Sequence, residues 1–342
     1  MKKKTKKIIL GSVLACILFG IAGAAHIYYY FFAQPFQITD TTYIYIDRDD
    51  DVDSVYHKIA EAGNPKQMHG FESLVRYQGY NIKTGRYAIN PGEGIVTIYR
   101  RLKNGQQSSL NLTIPEARTT NRLAAILSKK LMLDSATIAS ALTSQETCQR
   151  YGYDTCTIPA MFIPNTYDIY WNVSIDGFLE RMKKEHDRFW NAERTTKASF
   201  HGLKPNEVAT LASIIDEETA NNDEKPMIAG MYINRLKKGM PLQADPTVKF
   251  ALKQFGLKRI YNKLLRTDSP YNTYIHEGLP PGPIKIASIK GIDAVLNAVN
   301  HDYLYMCAKE DFSGTHNFAK TYPEHLQNAE KYTKALNERG IK

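Results

Sequence analysis

Five of the first seven residues are lysines (Lys2, Lys3, Lys4, Lys6 and Lys7), and from Ile8 to Gln34 there is no Asp, Glu, Lys or Arg. Residues 8–33 are apolar and long enough to cross a bilayer as a helix, which takes roughly 20 residues. Tyr28, Tyr29, Tyr30, Phe31 and Phe32 form an aromatic cluster suited to the far interface. Lysines ahead of the span and none directly behind it predict a cytoplasmic N-terminus (residues 1–7), with everything after about residue 35 outside the cytoplasm. Two other leaders compete with this reading. A cleaved signal peptide has an apolar core of about 7–15 residues and a small-residue cleavage site, for which residues 22–25 are weak candidates. A lipoprotein signal would use Val13-Leu14-Ala15-Cys16, but the chain stays apolar well beyond Cys16. Length favours an uncleaved anchor.

That topology changes what the net charge means. The 342 residues hold 44 Lys+Arg against 35 Asp+Glu, a formal +9. With the five leading lysines set aside, 39 basic residues face 35 acidic ones, an ordinary surface balance. The basic cluster lies on the cytoplasmic side and no RNA- or DNA-binding motif is visible, so no nucleic-acid partner is expected. A chain 43% hydrophobic and 23% charged buries a core, which excludes disordered, collagen-like and polytopic membrane classes. Four cysteines without paired C-x-x-C spacing make neither a disulfide scaffold nor a metal site, and no cofactor is expected. Cys148 and Cys156, eight apart in a polar stretch, read either as a disulfide, which an extracytoplasmic location permits, or as two unpaired thiols.

Beyond the leader the fold class reads as α+β. Residues 40–110 form a small module: strands at Thr42–Ile46 and Gly85–Ile89, a helical stripe of Val52, Val55, Ile59 and Ala60, and a helix carrying Ile95, Ile98 and Leu102 that Gly105 ends. A strand at 110–114 stops at Pro115, and a domain boundary falls between about 105 and 120. Residues 111–342 read as a helix-rich domain, irregular and rich in Pro and Gly from 239 to 283. A helix near 292–299, a strand at 303–308 and a last helix over 323–337 close the chain.

The most informative segment is Asn206–Ala220, NEVATLASIIDEETA. Val208, Leu211, Ala212 and Ile215 recur at helical spacing and define a buried stripe. At about 100° per residue, Glu217 points almost opposite the stripe, Asp216 lies on one flank and Glu218 on the other, a turn beyond Leu211, Ile214 and Ile215. A carboxyl against apolar neighbours is pushed up by desolvation, which suits a general acid near neutral pH, so Glu218 is the candidate. The competing reading is a Glu218 that pairs with a Lys or Arg or ends the helix in solvent. In the next helix, over 225–238, Arg235 falls among Ile228, Met231, Tyr232 and Leu236, where it either needs an anionic partner or snorkels. The loops 239–247 and 269–284 carry Tyr271, Asn272, Thr273 and Tyr274, suited to stacking on and hydrogen-bonding a sugar; the alternative is a proline-rich surface connection.

Nine blocks in order carry a family resemblance: Gly85-Arg86-Tyr87, Thr113-Ile114-Pro115-Glu116, Phe162-Ile163-Pro164-Asn165-Thr166-Tyr167, Leu211-Ala212-Ser213-Ile214-Ile215-Asp216-Glu217-Glu218-Thr219, Tyr232-Ile233-Asn234-Arg235-Leu236, Leu242-Gln243-Ala244-Asp245-Pro246-Thr247-Val248, Tyr271-Asn272-Thr273-Tyr274, Gly278-Leu279-Pro280-Pro281-Gly282-Pro283-Ile284 and Gly314-Thr315-His316-Asn317-Phe318. The chain resembles the endolytic murein transglycosylases (MltG/YceG-like) from about residue 40 to 340. The resemblance implies a single membrane anchor, a small LysM-like module, and a catalytic domain that cuts peptidoglycan glycan strands internally, with cell-wall synthases as partners; the competing readings are a non-catalytic membrane-anchored peptidoglycan-binding or cell-wall assembly protein and a hydrolytic muramidase. It places the protein in a bacterial inner membrane with the catalytic domain outside the cytoplasm. The family's catalytic acid is the second Glu of Glu-x-Glu-Thr, which falls on Glu218; Asp216 departs from the usual Glu, and Asn165 stands where the family commonly has Asp. Asn234, Arg235, Gln243, Asp245, Tyr271 and Asn272 are expected as substrate-groove residues.

Overall fold

The computed structural model describes residues 2–32, 36–257 and 260–340. Ala33, the end of the expected span, and residues 341–342, the end of the expected helix-rich domain, lie outside the described residues. Helix α1 (Lys2–Phe31) contains a 28-residue stretch, Lys4–Phe31, within which an 18-residue window has mean hydropathy 2.5 and no buried residue. It is long and apolar enough to cross a membrane.

The chain divides into two compact units, residues 1–111 with 168–173, and residues 112–167 with 174–342. Beyond α1, the first unit runs β1 (Thr42–Ile46), α2 (Val52–Gly63), α3 (His69–Gln78), β2 (Gly85–Ile89) and α4 (Ile95–Asn104). β1 and β2 are antiparallel, Thr42 opposite Ile89 and Ile46 opposite Gly85. Period-2 alternation turns Ile44, Ile46, Tyr87 and Ile89 inward. There they meet Val55 and Ile59 of α2 and Ile98 and Leu102 of α4 in one core. Asp51 caps α2 by accepting from Ser54 N–H at 2.8 Å. α3 starts at Met68 without a side-chain cap, so nothing in the sequence announces it.

β3 (Leu110–Thr113) straddles the division, and the second unit continues with α5 (Thr120–Leu127), α6 (Ser135–Thr143), α7 (Gln145–Arg150), the first half of β4 (Thr166–Ile169), α8 (Ile175–Phe189) and α9 (Ala192–Phe200). β3 and β4 form a two-stranded sheet. Then come α10 (Pro205–Glu218), α11 (Lys225–Lys237), α12 (Asp245–Ala251), α13 (Ile289–Leu296), an antiparallel hairpin of β5 (Tyr305–Ala308) and β6 (His316–Ala319), and α14 (Tyr322–Glu338). α12 interrupts the stretch expected to be irregular, because Pro246 in its first turn already has helical φ and lacks only a donor that would go unused. The four cysteines are all free thiols. Cys148 is buried and its thiol donates to Leu142 O at 3.6 Å, so the unpaired alternative is the one this fold adopts.

α10 is the centre of the core. Pro205 opens it, and the Glu207 carboxylate accepts from Lys204 N–H at 2.7 Å. Val208, Leu211, Ile214 and Ile215 pack with Ile228 and Tyr232 of α11 and Ile292 and Val295 of α13. Ser213 accepts from Ile284 N–H at 3.0 Å, which pins the Pro-rich 278–284 segment to the helix. Gly282 is required there, since any Cβ would run into the Cys156 carbonyl. Asp216, almost fully buried, accepts from Lys225 Nζ at 2.6 Å, from Ser288 N–H at 2.7 Å and from Ser288 Oγ–H at 2.8 Å. One carboxylate thus ties α10 to the first turn of α11 and the N-cap of α13. Removing it strands a buried ammonium, so Asp216→Ala is expected to cost about 3–5 kcal/mol in urea unfolding of the full-length protein at pH 7. A loss below about 1 kcal/mol, the worth of an exposed pair, would contradict this anchoring role.

Candidate active site

Three consecutive acids at the end of α10 meet three environments. Asp216 is consumed by the anchor just described. Glu217, on the opposite side, accepts from Arg118 Nε at 3.1 Å and Nη2 at 2.8 Å, with Lys285 Nζ at 3.6 Å. Glu218 is half-buried, and its one hydrogen bond among the described residues comes from the Tyr232 hydroxyl, which donates to Oε1 at 2.8 Å. Burial pushes the Glu218 carboxyl up to about 7, and the negative charge of Asp245 adds to the rise; the Tyr232 hydrogen bond and the charges of Lys249 and Arg235 oppose it. With Tyr232 donating to Oε1, an acidic proton on Glu218 sits on Oε2.

Glu218 lines a cleft of about 220 Å³ with Tyr232 and Arg235 of α11, Gln243 just before α12, Asp245 at its start, Tyr274, Met306, Cys307 and Ala308 of β5, and His316 of β6. Its far wall is braced as a unit. Gln243 N–H donates to Thr273 O at 2.9 Å, Ala244 N–H donates to Thr273 Oγ1 at 3.0 Å, and the Thr247 and Thr273 hydroxyls meet at 2.9 Å. This lacing brings the Tyr274 hydroxyl to Asp245, to which it donates at 2.6 Å. Burial and Asp245 both push the Tyr274 phenol well above its ordinary range, so Tyr274 stays a donor. The cleft therefore pairs a carboxyl pushed up to about 7 with a second carboxyl, Asp245, that accepts from a phenol. Among the described residues no group of three His, Cys, Asp or Glu side chains is placed to hold a metal ion.

Residues 44–331 match the model of the YceG-like family. The chain belongs to that family. It is 30% identical over 295 residues to an endolytic murein transglycosylase of Bacillus subtilis, covering 80% of each chain. It is 27% identical over 316 residues to an endolytic murein transglycosylase of Streptococcus pneumoniae, covering 82% of this chain and 56% of that one, so it spans about half the length of the pneumococcal protein. A crystal structure of a YceG-like protein from Listeria monocytogenes superposes with a TM-score of 0.55 at 27% identity, over 84% of this chain and 99% of that one.

Of the residues expected at the site of this YceG-like chain, Arg235, Gln243 and Asp245 share the cleft with Glu218. Among the described residues Arg235 pairs with no carboxylate. Its Nε donates to Leu304 O at 2.6 Å and its Nη1 to Leu242 O at 2.8 Å and Pro241 O at 3.1 Å, so it holds the cleft's two walls by their backbones. Asn234, Tyr271 and Asn272 are elsewhere. The Asn234 amide donates to His301 O and Tyr303 O, and the buried Asn272 amide donates to Leu265 O and Thr267 O. Both are spent on shaping loops. Tyr271 lines a separate cavity of about 260 Å³ with Cys156, Phe162 and Phe250. Sequence reasoning missed Tyr232, which counts as apolar in a helical stripe, and Tyr274 as the partner of Asp245.

The raised Glu218 carboxyl sets a pH signature. Its folded value of about 7 exceeds its ordinary 4.5, so it binds its proton more tightly folded than unfolded. The stability it contributes is complete below about pH 4.5 and is lost as pH rises through 7. Glu218→Gln removes that loss, so the variant should gain on the parent by roughly 1–3 kcal/mol between pH 4.5 and 7.5 in urea unfolding. A difference that does not change with pH would contradict the shift.

Proposed function

We propose that this chain is a membrane-anchored endolytic lytic transglycosylase that cleaves MurNAc–GlcNAc linkages within peptidoglycan strands and leaves 1,6-anhydroMurNAc ends. Family membership and the names of the Bacillus and Streptococcus relatives support the reaction class. The observation that carries the assignment of roles is the carboxyl of Glu218, raised to about 7 inside a polar cleft. Glu218 Oε2 delivers its proton to the bridging oxygen as the glycosidic bond breaks. The resulting carboxylate, still held by Tyr232, takes the proton from the C6 hydroxyl of the same MurNAc as that oxygen closes the 1,6-anhydro ring. Two carboxyls are the rule where water must be activated. An internal hydroxyl has a high effective molarity, so one carboxyl serves as acid and then base.

The anchor reading rests on α1 with the lysines ahead of it, which set an N-in orientation in the inner membrane and a catalytic domain beyond it. The β1-α2-α3-β2 order with its antiparallel pair supports a LysM-like module that grips glycan. Cell-wall synthases are the protein partners the resemblance implies. Asp245, on the wall facing Glu218, is what a hydrolytic muramidase would use to activate water. Mass analysis of glycan digested by the full-length protein in detergent separates the two: anhydro ends are expected, and reducing ends would reject the transglycosylase. Glu218→Gln should lower cleavage by about a hundredfold or more, and the parent's rate should fall above about pH 7 as the acid is lost. A fully active Glu218→Gln protein, or a rate still rising above that pH, would remove Glu218 from the role of acid.

A further inference from the structure

A second carboxylate–side-chain pair, with no part in the proton transfers, reaches the same cleft. Glu224, at the N-cap of α11, is buried, and its two oxygens both face His316 of β6. Oε1 accepts from the His316 backbone N–H at 2.6 Å, and Oε2 lies 2.8 Å from Nδ1. The next residue, Lys225, is the ammonium that pairs with Asp216, so the first turn of α11 is fixed from two sides. His316 is mostly buried and lines the Glu218 cleft. Among the described residues its Nε2 has no protein partner.

Hydrogen-bond geometry then orients the imidazole. The His316 backbone N–H occupies Oε1, and Nδ1–H is directed at Oε2. In the neutral Nδ1–H tautomer Nε2 is an acceptor with a free lone pair, on a ring that lines the cleft. A carboxylate that orients a ring and selects its tautomer is how an imidazole is prepared to meet a substrate hydroxyl.

We propose that His316 contacts the glycan, its Nε2 accepting a hydrogen bond from a sugar hydroxyl bound in the Glu218 cleft, and that Glu224 is the positioning residue that fixes the tautomer. This rests on the glycan-cleaving reading, and it adds a recognition element on the β5–β6 wall.

Two substitutions isolate the role of the ring. In Glu224→Gln the amide oxygen must still face the His316 backbone N–H, so the amide NH2 faces Nδ1. The ring then has to move its proton to Nε2, and the acceptor is lost with little change in shape. In His316→Asn the Nδ2 amide stands in for Nδ1 and keeps the bond to Glu224 while deleting Nε2. Both are made in the full-length Glu218→Gln protein in detergent, so that binding of an uncrosslinked glycan strand is read without cleavage. Isothermal titration calorimetry is expected to show each double variant binding about tenfold more weakly, the worth of one hydrogen bond to a substrate hydroxyl. Imidazole 15N shifts should report Nδ1–H while Glu224 is in place and Nε2–H after the Glu224→Gln substitution. Unchanged affinity in both double variants, or an Nε2–H tautomer with Glu224 in place, would overturn the proposal. Because affinity is measured apart from turnover, a parent protein that never cuts glycan overturns the transglycosylase reading while the binding losses still test the dyad.

Discussion

A carboxylate inside a protein needs hydrogen-bond donors on both oxygens, and Asp216 has three: an ammonium, a backbone N–H and a hydroxyl. These donors come from α11 and from the N-cap of α13, so satisfying one anion sets the packing of three core helices. The close fit shows at Gly291, where a Cβ would stand 2.6 Å from Asp216 Oδ1. The backbone of α13 can lie this close to the carboxylate only without a side chain at that position. Everything that faces the cleft from α10 and α11 inherits its position from this joint.

The neighbouring acids show how surroundings divide one chemistry into three. Glu217 is met by the cations of Arg118 and Lys285. Glu218, one residue further, finds a phenol where the others find cations. A single neutral donor does not offset the cost of burying its charge, so the proton is retained to about pH 7. Arg235 is near enough to oppose that rise, but its guanidinium is committed to the carbonyls of Leu242 and Leu304. A free guanidinium paired with Glu218 would have pulled its carboxyl down and removed the acid. Holding the cation on backbone carbonyls therefore preserves the raised carboxyl on which the proposed chemistry depends.

Much of this was readable from helical spacing. The stripe of Val208, Leu211 and Ile215 places Glu217 and Glu218 on different sides, and α10 and α11 begin and end close to where Pro205 and Gly239 punctuate the chain. The strands Thr42–Ile46 and Gly85–Ile89 were equally plain, because their alternation survives in isolation. What escaped depends on partners distant in sequence. Tyr232 counts as an apolar helix position until its hydroxyl is seen on Glu218. Asn272 looks available to a sugar, yet its amide closes the turn that presents Tyr274. β6 is four residues long and has no pattern of its own apart from its pairing with β5. Glu224 and His316 are 92 residues apart, and no local spacing links them.

The fold keeps one carboxyl protonated near neutral pH by giving it a phenol where its neighbours receive cations, and the proposed chemistry depends on that proton. A 13C NMR titration of glutamate side-chain carboxyls, with the Glu218 signal assigned as the one absent in Glu218→Gln, measures this directly. A midpoint near 7 is predicted. A midpoint near the ordinary 4.5 would contradict the account, because Glu218 would then hold no proton to give at the pH where it must act.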